Sequence, residues 1–347
     1  MVQNLHMMKR IFAQSLLILL LSVGFFSVSH AQDPQYSQFY SNLVLLNPAF
    51  TGSGIGPRVA MNYRAQWVGI PGYYKQFAVS FDSPISFLGT NQGVGLTFSS
   101  DVAGEGDLTR LDIILNYAYQ IDINDDHTLR FGLSGGIQQA SINFFKLRFP
   151  DQIDDRDGFV FPTNEPGLGG GLSESNIRPD VNAGIAYYNP YAWLGVTINH
   201  ITEPEQRFYP NIPLPPDQLE GAKLPRKFTV TGGLRLPVGG IRNPNRIKIS
   251  PAFLFKVQGQ FFQVDAGVYL DIEPMVFGVW YRHQDALIGL IGFRKGVFSF
   301  GYSYDYTISR LTNGISGGSH EVSLVLEFEQ KKRRKPMRHK SPPCPRF

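Results

Sequence analysis

VFSFGYSYDY (residues 297–306) alternates between large apolar side chains and small or polar ones. Successive side chains of a β-strand point to opposite faces, so a period of two predicts a strand with one aromatic face and one polar face. The polar face carries Ser299, Gly301, Ser303 and Asp305 and no lysine. A sheet face exposed to water usually carries more charge. The pattern therefore predicts an aromatic face toward lipid and a small polar face toward a lumen.

The same alternation recurs along most of the chain, for example in 111–120 and 321–328. Candidate strands fall at 57–67, 75–84, 92–101, 108–121, 128–143, 178–189, 192–200, 226–236, 247–258, 261–272, 275–282, 285–294, 297–307 and 319–330. That is about 14, and bacterial outer-membrane barrels have even strand numbers. The sequence thus predicts an all-β fold, a transmembrane antiparallel β-barrel of about 14 strands over residues 57–330, in the cell outer membrane.

Loop lengths give an independent argument for this fold. If the first strand rises from the periplasm, the odd-numbered hairpins are extracellular. The two longest gaps, 145–177 and 201–225, both fall in odd hairpins, and the tight connections at 189–191, 272–274 and 295–296 fall in even ones. Long extracellular loops and short periplasmic turns are the asymmetry of such barrels. The connection at 237–246 is a long even turn and departs from the pattern.

Composition and charge exclude several classes of protein. No stretch after residue 31 approaches the roughly 20 apolar residues of a membrane-spanning helix. The single cysteine, Cys344, excludes an intramolecular disulfide; it is a structural or incidental residue, or a reactive thiol. Eight of the 32 basic residues lie in the acid-free tail 331–347 and two in the first 31 residues, which leaves 22 basic against 28 acidic residues. The basic isoelectric point therefore describes a tail, and it does not predict nucleic-acid binding.

Residues 1–31 have the pattern of a secretory signal peptide. Lys9 and Arg10 precede an apolar region, and Ser29-His30-Ala31 forms a small-x-small cleavage site. A membrane anchor helix is the alternative. We expect the mature chain to begin at Gln32 and to end in a basic periplasmic tail, residues 331–347, that makes a salt-sensitive contact.

DPQYSQFYSNLVLLNPAFTGS (33–53) fits neither the signal nor the strand pattern. Its aromatic and amide side chains keep no period of two, and its Asn-Pro and Thr-Gly steps indicate turns. Because it precedes the first strand, it is expected to start on the periplasmic side. We predict that residues 32–56 fold into the barrel as a plug or lie across its periplasmic mouth as a docking segment. The candidate plug or partner-binding residues are Tyr36, Gln38, Asn47 and Pro48.

Motifs that would indicate catalysis or metal binding are weak. Residues 132–136 match G-x-S-x-G, but that motif requires a turn between a strand and a helix, whereas here it lies inside a strand pattern. The glycines are better explained by barrel curvature. The acidic loop with Asp151, Asp154, Asp155 and Asp157 lacks calcium-loop spacing and is expected to be a solvated surface loop. We therefore expect no enzyme activity, no cofactor and no metal.

Closure of a barrel makes its first and last strands neighbours, which predicts one specific pair. Arg64 falls on the polar side of the first strand and Glu321 on the polar side of the last, both near the extracellular end. We predict a lumen-facing ion pair across the seam; the alternative is two separately solvated charges.

Four segments resemble a known family: 33–53, NYRAQWVGIPG (62–72), SFDSP (80–84) and GGSHEVSLVLEF (317–328). In order and at suitable spacing, they are similar to the PorP/SprF family of type IX secretion system membrane proteins of Bacteroidetes. The region 145–225 carries no matching motif. The resemblance implies an outer-membrane barrel, without catalytic residues, that works with the other type IX secretion components.

The resemblance also implies a role in protein secretion or in surface attachment of particular substrates, including gliding motility adhesins. Its implied partners are a secreted surface protein and a peptidoglycan-associated periplasmic protein. Two alternatives of other classes remain: an outer-membrane channel for small solutes, and an outer-membrane hydrolase that uses Ser134 and His320.

Overall fold

The structure, a computed structural model, describes residues 33, 35–87, 90–143, 146–154, 156, 158–159, 174–206, 223–238, 247–329 and 341–344. The predicted signal peptide lies outside the described residues, as do most of the basic tail and most of the two long predicted loops. Asp155 and Asp157 of the acidic loop are outside them too.

Fourteen strands form the wall of the molecule. They are β1 (Arg58–Gln66), β2 (Tyr74–Phe87), β3 (Thr90–Ala103), β4 (Leu108–Asp122), β5 (Thr128–Ile142), β6 (Glu174–Tyr188), β7 (Ala192–Asn199), β8 (Lys227–Leu234), β9 (Ile247–Gln258), β10 (Phe261–Ile272), β11 (Met275–Arg282), β12 (Ala286–Lys295), β13 (Phe298–Thr307) and β14 (Ser319–Glu327). Each strand pairs antiparallel with its neighbours in the chain, and β14 pairs with β1, so the sheet closes. The predicted 14-strand antiparallel barrel is confirmed, with strand ends within four residues of the prediction.

The two faces of the wall divide as the alternation predicts. Along β13, Phe298 and Phe300 are exposed on the outside, whereas Ser303 and Asp305 are buried inside. Leu115, at the middle of β4, is 67% exposed, and apolar side chains cover the outside of the other strands as well. A continuous apolar exterior suits lipid, so the wall has the surface of a transmembrane barrel.

The N-terminal segment, residues 33–53, lies inside the barrel, and we call it the plug. It contains one helical turn, α1 (Leu43–Leu46), and one 3₁₀ turn (Pro48–Phe50). Nearly all of its side chains are buried, and Gln38, Asn47, Ala49 and Phe50 have no exposed surface. The core of the protein is therefore the contact between the plug and the inward-facing side chains.

The remaining described elements are not among the 14 strands of the wall. They are a 3₁₀ turn (Pro150–Gln152), a two-residue ladder of Ile153–Asp154 with Gly158–Phe159, a two-residue strand Leu236–Pro237 beside β9, and the helical turn α2 (Asn313–Ser316). Among the described residues, none of the helices has the length and apolar character needed to cross a membrane.

The two ends of the barrel differ in the length of their connections. At one end, which we call the long-loop end, lie the connections 143–173 and 200–226. At the other, the short-turn end, lie 189–191, 273–274 and 296–297, together with the longer connection 235–246. Since outer-membrane barrels have short periplasmic turns, the long-loop end corresponds to the cell surface.

The lipid-facing wall generates a matched pair of substitutions on one strand. Leu115→Arg places a charge at the middle of β4 and should lower the free energy of unfolding by about 2–4 kcal/mol, because a cation at the bilayer midplane loses its water. Ile123→Arg, just beyond the end of the same strand, should cost only about 0–1 kcal/mol. Urea unfolding in lipid vesicles measures both. Equal losses for the two variants would contradict a transmembrane position for β4.

Candidate functional site: the plugged lumen

Local sequence explains why the plug turns rather than extends. The side chain of Asn42 accepts a hydrogen bond from the backbone N–H of Leu45 and so caps α1. Asn47 caps the next turn by accepting from Ala49 N–H at 2.8 Å, and Pro48 follows as its first residue. Two capped turns in eight residues give the segment its irregular path and remove the period of two.

A buried ionic network holds the plug at the seam between β1 and β14. Arg64 and Glu321 lie opposite each other in the strand register, with Arg64 Nη1 at 3.4 Å from Glu321 Oε2. The carboxylate of Glu321 also accepts the backbone N–H groups of Ser37 and Gln38, at 2.7 and 3.1 Å. The seam pair is thus joined to the plug, and the charge of Glu321 is shared between the wall and the plug backbone.

The strongest contact of Arg64 is with a third residue, Asp305 on β13. Arg64 Nη2 lies 2.8 Å from Asp305 Oδ2, and Arg282 Nη1 on β11 lies 3.2 Å from the same oxygen. Ser37 Oγ donates to that oxygen at 2.6 Å and accepts from both arginines. Ser37 therefore contacts both arginines and both carboxylates of the network. A buried charge is costly unless it has hydrogen-bond partners, and Ser37 is one of them.

Asp33, the first described residue of the plug, is anchored to the wall near the long-loop end. Its carboxylate lies 2.9 Å from Arg110 Nη1 and 2.8 Å from His200 Nε2, and it is also paired with Lys227. The other ring nitrogen of His200, Nδ1, lies 2.9 Å from Asp180 Oδ2, and this hydrogen bond orients the imidazole toward Asp33. Burial alone would raise the pKa of Asp33, but the charges of His200, Lys227 and Arg110 hold that pKa well below its usual range.

A third anchor holds the plug near the short-turn end. Arg130 Nε donates to the carbonyl of Ala49 at 2.8 Å, and its Nη2 donates to the carbonyl of Thr51. Asp82 accepts the N–H of Gly52 at 2.7 Å and forms a bidentate pair with Arg58 at 2.9 Å. The backbone of the plug thus replaces the water that these inward-facing charges would otherwise need.

Two glycines of the wall allow the plug to lie directly against the strands. A Cβ on Gly132 would lie 2.1 Å from the backbone nitrogen of Ala49, and one on Gly93 would lie 1.9 Å from the carbonyl oxygen of Thr51. Both clashes involve backbone that cannot turn away. Gly132 opens the G-x-S-x-G match, so close approach of the plug explains this glycine.

Aromatic packing fixes the middle of the plug. Tyr40 packs edge-on against Trp193, with ring centroids 5.7 Å apart, and its hydroxyl lies 2.9 Å from Thr231 Oγ1. Phe39 packs edge-on against Trp280 at 5.0 Å. These contacts bury large rings and give the Tyr40 hydroxyl a hydrogen-bond partner.

The four candidate plug residues all lie inside the barrel. Gln38 donates to the Glu321 carbonyl at 2.9 Å and accepts from Ser323 Oγ at 2.6 Å. Asn47 donates to the carbonyls of Ile185 and Val196, Pro48 is buried, and Tyr36 lines a cavity of about 120 Å³ beside Asp33.

The path of the plug differs from the expectation that it starts on the periplasmic side. Asp33 lies near the long-loop end, and the chain then descends through the lumen to reach β1 at the short-turn end. The cationic partners of Asp33 lie at strand ends far along the sequence, so no local pattern indicated that the plug begins at the long-loop end.

The motifs considered for catalysis lie apart from one another. Ser134 lies within β5, and its hydroxyl accepts a hydrogen bond from Asn182 at 3.2 Å. His320 lies on β14 beside the Tyr302 hydroxyl at 2.8 Å. The described residues hold no group of three or more His, Cys, Asp or Glu side chains placed to bind a metal ion.

Sequence reasoning missed most of the groups that hold the plug. The charged groups that the sequence did not single out as contacts of the plug or of its network are Arg282, Asp305, Asp33, Arg110, His200, Lys227, Arg130, Asp82 and Arg58. The signal that could have found the wall residues among them is a charged residue on the polar side of a predicted strand. A charge that faces a lumen occupied by protein needs a partner there.

The ionic network predicts a large effect of removing its central cation. Arg64→Met leaves Asp305 and Glu321 buried with less compensation and should lower the free energy of unfolding by about 3–5 kcal/mol in vesicles. The control is Arg226→Met, which removes an exposed pair with Glu203 at 3.2 Å and should cost no more than about 1 kcal/mol. Similar losses for both variants would show that the network does not stabilise the barrel.

The Asp33 anchor predicts a particular pH dependence. A carboxyl whose pKa is lowered on folding stabilises the fold above its unfolded pKa of about 3.9, and this contribution is lost as the pH falls through the lower folded pKa. Asp33→Asn should therefore cost about 3 kcal/mol near pH 7 and no less down to about pH 4, since Asp33 also raises the pKa of His200, and the difference from wild type should shrink below that. Urea unfolding at successive pH values measures it; a difference that shrinks between pH 7 and 5 would be inconsistent with a lowered pKa.

Comparison with known proteins identifies a family with this sequence. A family model described as type IX secretion system membrane protein PorP/SprF matches residues 28–326. No curated protein matches the chain.

Among solved structures, the chain is similar to three barrels at low identity. One is a TodX deltaS2S3 mutant monoaromatic hydrocarbon channel, at 10% identity over 82% of this chain and 92% of that chain, with a TM-score of 0.44. Another is a Pseudomonas aeruginosa FadL homologue, at 10% identity over 78% and 90%, with a TM-score of 0.43. The third is BamA from Haemophilus ducreyi lacking POTRA domains 1-3, at 8% identity over 79% and 70%, with a TM-score of 0.40.

The family match rests on far more of the chain than one motif. Residues 28–326 include the plug and nearly the whole of the barrel, so the match covers both the wall and the segment that fills it. The chain therefore belongs to the PorP/SprF family of type IX secretion system membrane proteins.

Proposed function

We propose that this protein is a non-enzymatic outer-membrane component of type IX secretion that supports secretion or surface attachment of particular substrates, gliding adhesins among them. The observation that carries the proposal is the plug. It lies across the lumen and is held at three levels by buried charges, including Asp33, Glu321 and Arg130. A solute channel needs an open path through the lumen, whereas a docking or anchoring barrel does not.

The long-loop end supports the proposed contact with a secreted protein. Backbone hydrogen bonds join the hairpin after β1 to the hairpin before β14, from Trp67 N–H to the Gly318 carbonyl at 2.9 Å and from Gly69 N–H to the Ser316 carbonyl at 2.8 Å. Ile315 on α2 and Val68 are exposed on this joined surface. A fixed backbone that presents apolar side chains is suited to binding a protein partner.

The absence of enzyme activity is part of the proposal. Ser134 faces the lumen within a strand and lies against Asn182, so the strained turn that would activate a serine nucleophile is lacking at this position. The buried charges of the described lumen instead bind the plug, which gives them a structural role.

The periplasmic side of the proposal follows from the orientation of the barrel. The short turns, the end of β14 and the start of β1 lie at one end. A peptidoglycan-associated periplasmic protein is the proposed partner there, and a secreted surface protein is the proposed partner at the long-loop end.

Site-specific photo-crosslinking in the outer membrane tests this arrangement. A photoreactive residue in place of Ile315 should capture a secreted type IX substrate, and one in place of Ile123, at the short-turn end, should capture a periplasmic protein. The matched control replaces lipid-facing Leu115 and should capture neither. Mass spectrometry of the crosslinked bands identifies the partners.

Two outcomes would contradict the proposal. If none of the positions yields a protein crosslink while secretion is active, the barrel has no protein partner at either end. If the wild-type protein conducts ions in planar bilayers as an open pore does, the solute-channel alternative is favoured.

A further inference from the structure

Residues 341–344 lie inside the barrel, toward its short-turn end. Pro342, Pro343 and Cys344 are buried, and Cys344 is only 1% exposed. Cys344 belongs to the same hydrophobic cluster as Tyr40 and Leu43 of the plug. Residues 341–344 thus pack against the middle of the plug.

A large cavity adjoins this segment at the short-turn end. It measures about 690 Å³, and Ser341 and Pro342 form part of its wall. Protein interiors have few voids larger than a water molecule, whereas ligand sites measure about 300–1,000 Å³. The segment therefore occupies only part of a space that has the size of a binding site.

The lining of the cavity indicates the class of ligand. Tyr40 and Leu43 supply apolar surface, and charges of both signs surround it. The cations are Arg58, Arg235, Lys248 and Arg294, and the carboxylates are Glu273, Glu327 and Glu329. Charges of one sign would favour a simple ion, but a mixture around an apolar floor suits a peptide, which has polar groups of both kinds.

The composition of the segment in place indicates what kind of peptide fits. Pro342 and Pro343 have no backbone N–H, so their burial leaves no donor without a partner. Proline also has little conformational freedom to lose when a segment becomes ordered. A proline-containing extended segment can therefore enter this opening without a strand partner.

We propose that the short-turn opening of the lumen is a peptide-binding site, that residues 341–344 occupy it in the same chain, and that an extended proline-containing segment of a periplasmic partner exchanges with them. The proposal concerns a site at the end opposite to the proposed substrate surface. It stands even if the protein at the long-loop end is something other than a secreted substrate.

The single cysteine makes the occupied state measurable in the full-length protein. In detergent micelles, a maleimide should react with Cys344 at least about tenfold more slowly than with a reference thiol on the same side, because reaction requires the segment to leave the lumen. The reference is Asp125→Cys in a Cys344→Ser background, since Asp125 is exposed in the turn between β4 and β5. Heat-shifted electrophoretic mobility confirms that both chains are folded.

Exchange is tested with a synthetic peptide, SPPSPRF, which carries residues 341–347 with serine in place of the cysteine. The peptide should raise the maleimide rate of Cys344 severalfold, and the control peptide SGGSGRF, without prolines, should not. A Cys344 rate equal to the reference rate would show that the segment does not occupy the lumen. A slow rate that SPPSPRF leaves unchanged would show a fixed part of the fold rather than a binding site. Equal acceleration by both peptides would exclude the proposed proline requirement.

Discussion

Burial of four charges in the lumen, those of Arg64, Arg282, Asp305 and Glu321, is the constraint on which the structure depends. In a water-filled barrel these groups would be solvated, but here protein surrounds them, and a buried charge is tolerated only with full hydrogen bonding. Ser37 and Gln38 supply much of it, by way of one hydroxyl and two backbone N–H groups, and within this set only Asp305 Oδ1 is left without a partner. The plug therefore takes the place of the water that would otherwise solvate these wall charges.

The contents of the lumen, rather than the wall, are what is particular to this barrel. The wall of any such barrel needs only alternation and closure, and β9, β10 and β11 show that these suffice to form strands. What distinguishes this lumen is that inward-facing charges bind main-chain groups of the plug, as Arg130 binds the carbonyl of Ala49. The plug is therefore held both through its backbone and through buried side chains such as those of Asp33 and Ser37.

The sequence predicted the wall far better than the contents of the lumen, and the reason is physical. A period of two is local, so the bounds of β9 (Ile247–Gln258) follow from neighbouring residues alone. Closure added one long-range fact, the adjacency of Arg64 and Glu321. No such rule places Asp33 beside His200, which lies 167 positions away, because that contact depends on how far the plug rises in the lumen. Strand periodicity shows which face a charge occupies, not which partner it meets.

Two described segments far apart in the sequence, residues 33–53 and residues 341–344, meet in the lumen at the middle of the plug. The plug descends from Asp33 near the long-loop end, whereas residues 341–344 lie at the short-turn side, and both reach Tyr40. Tyr40 also packs on Trp193 of the wall. A displacement of residues 341–344 removes contacts from the same residue that fixes the plug, so the two ends of the barrel share one packing cluster. Energetic coupling between two sites requires a contiguous element with contacts to both, and Tyr40 with its packed neighbours is the element that lies between them here.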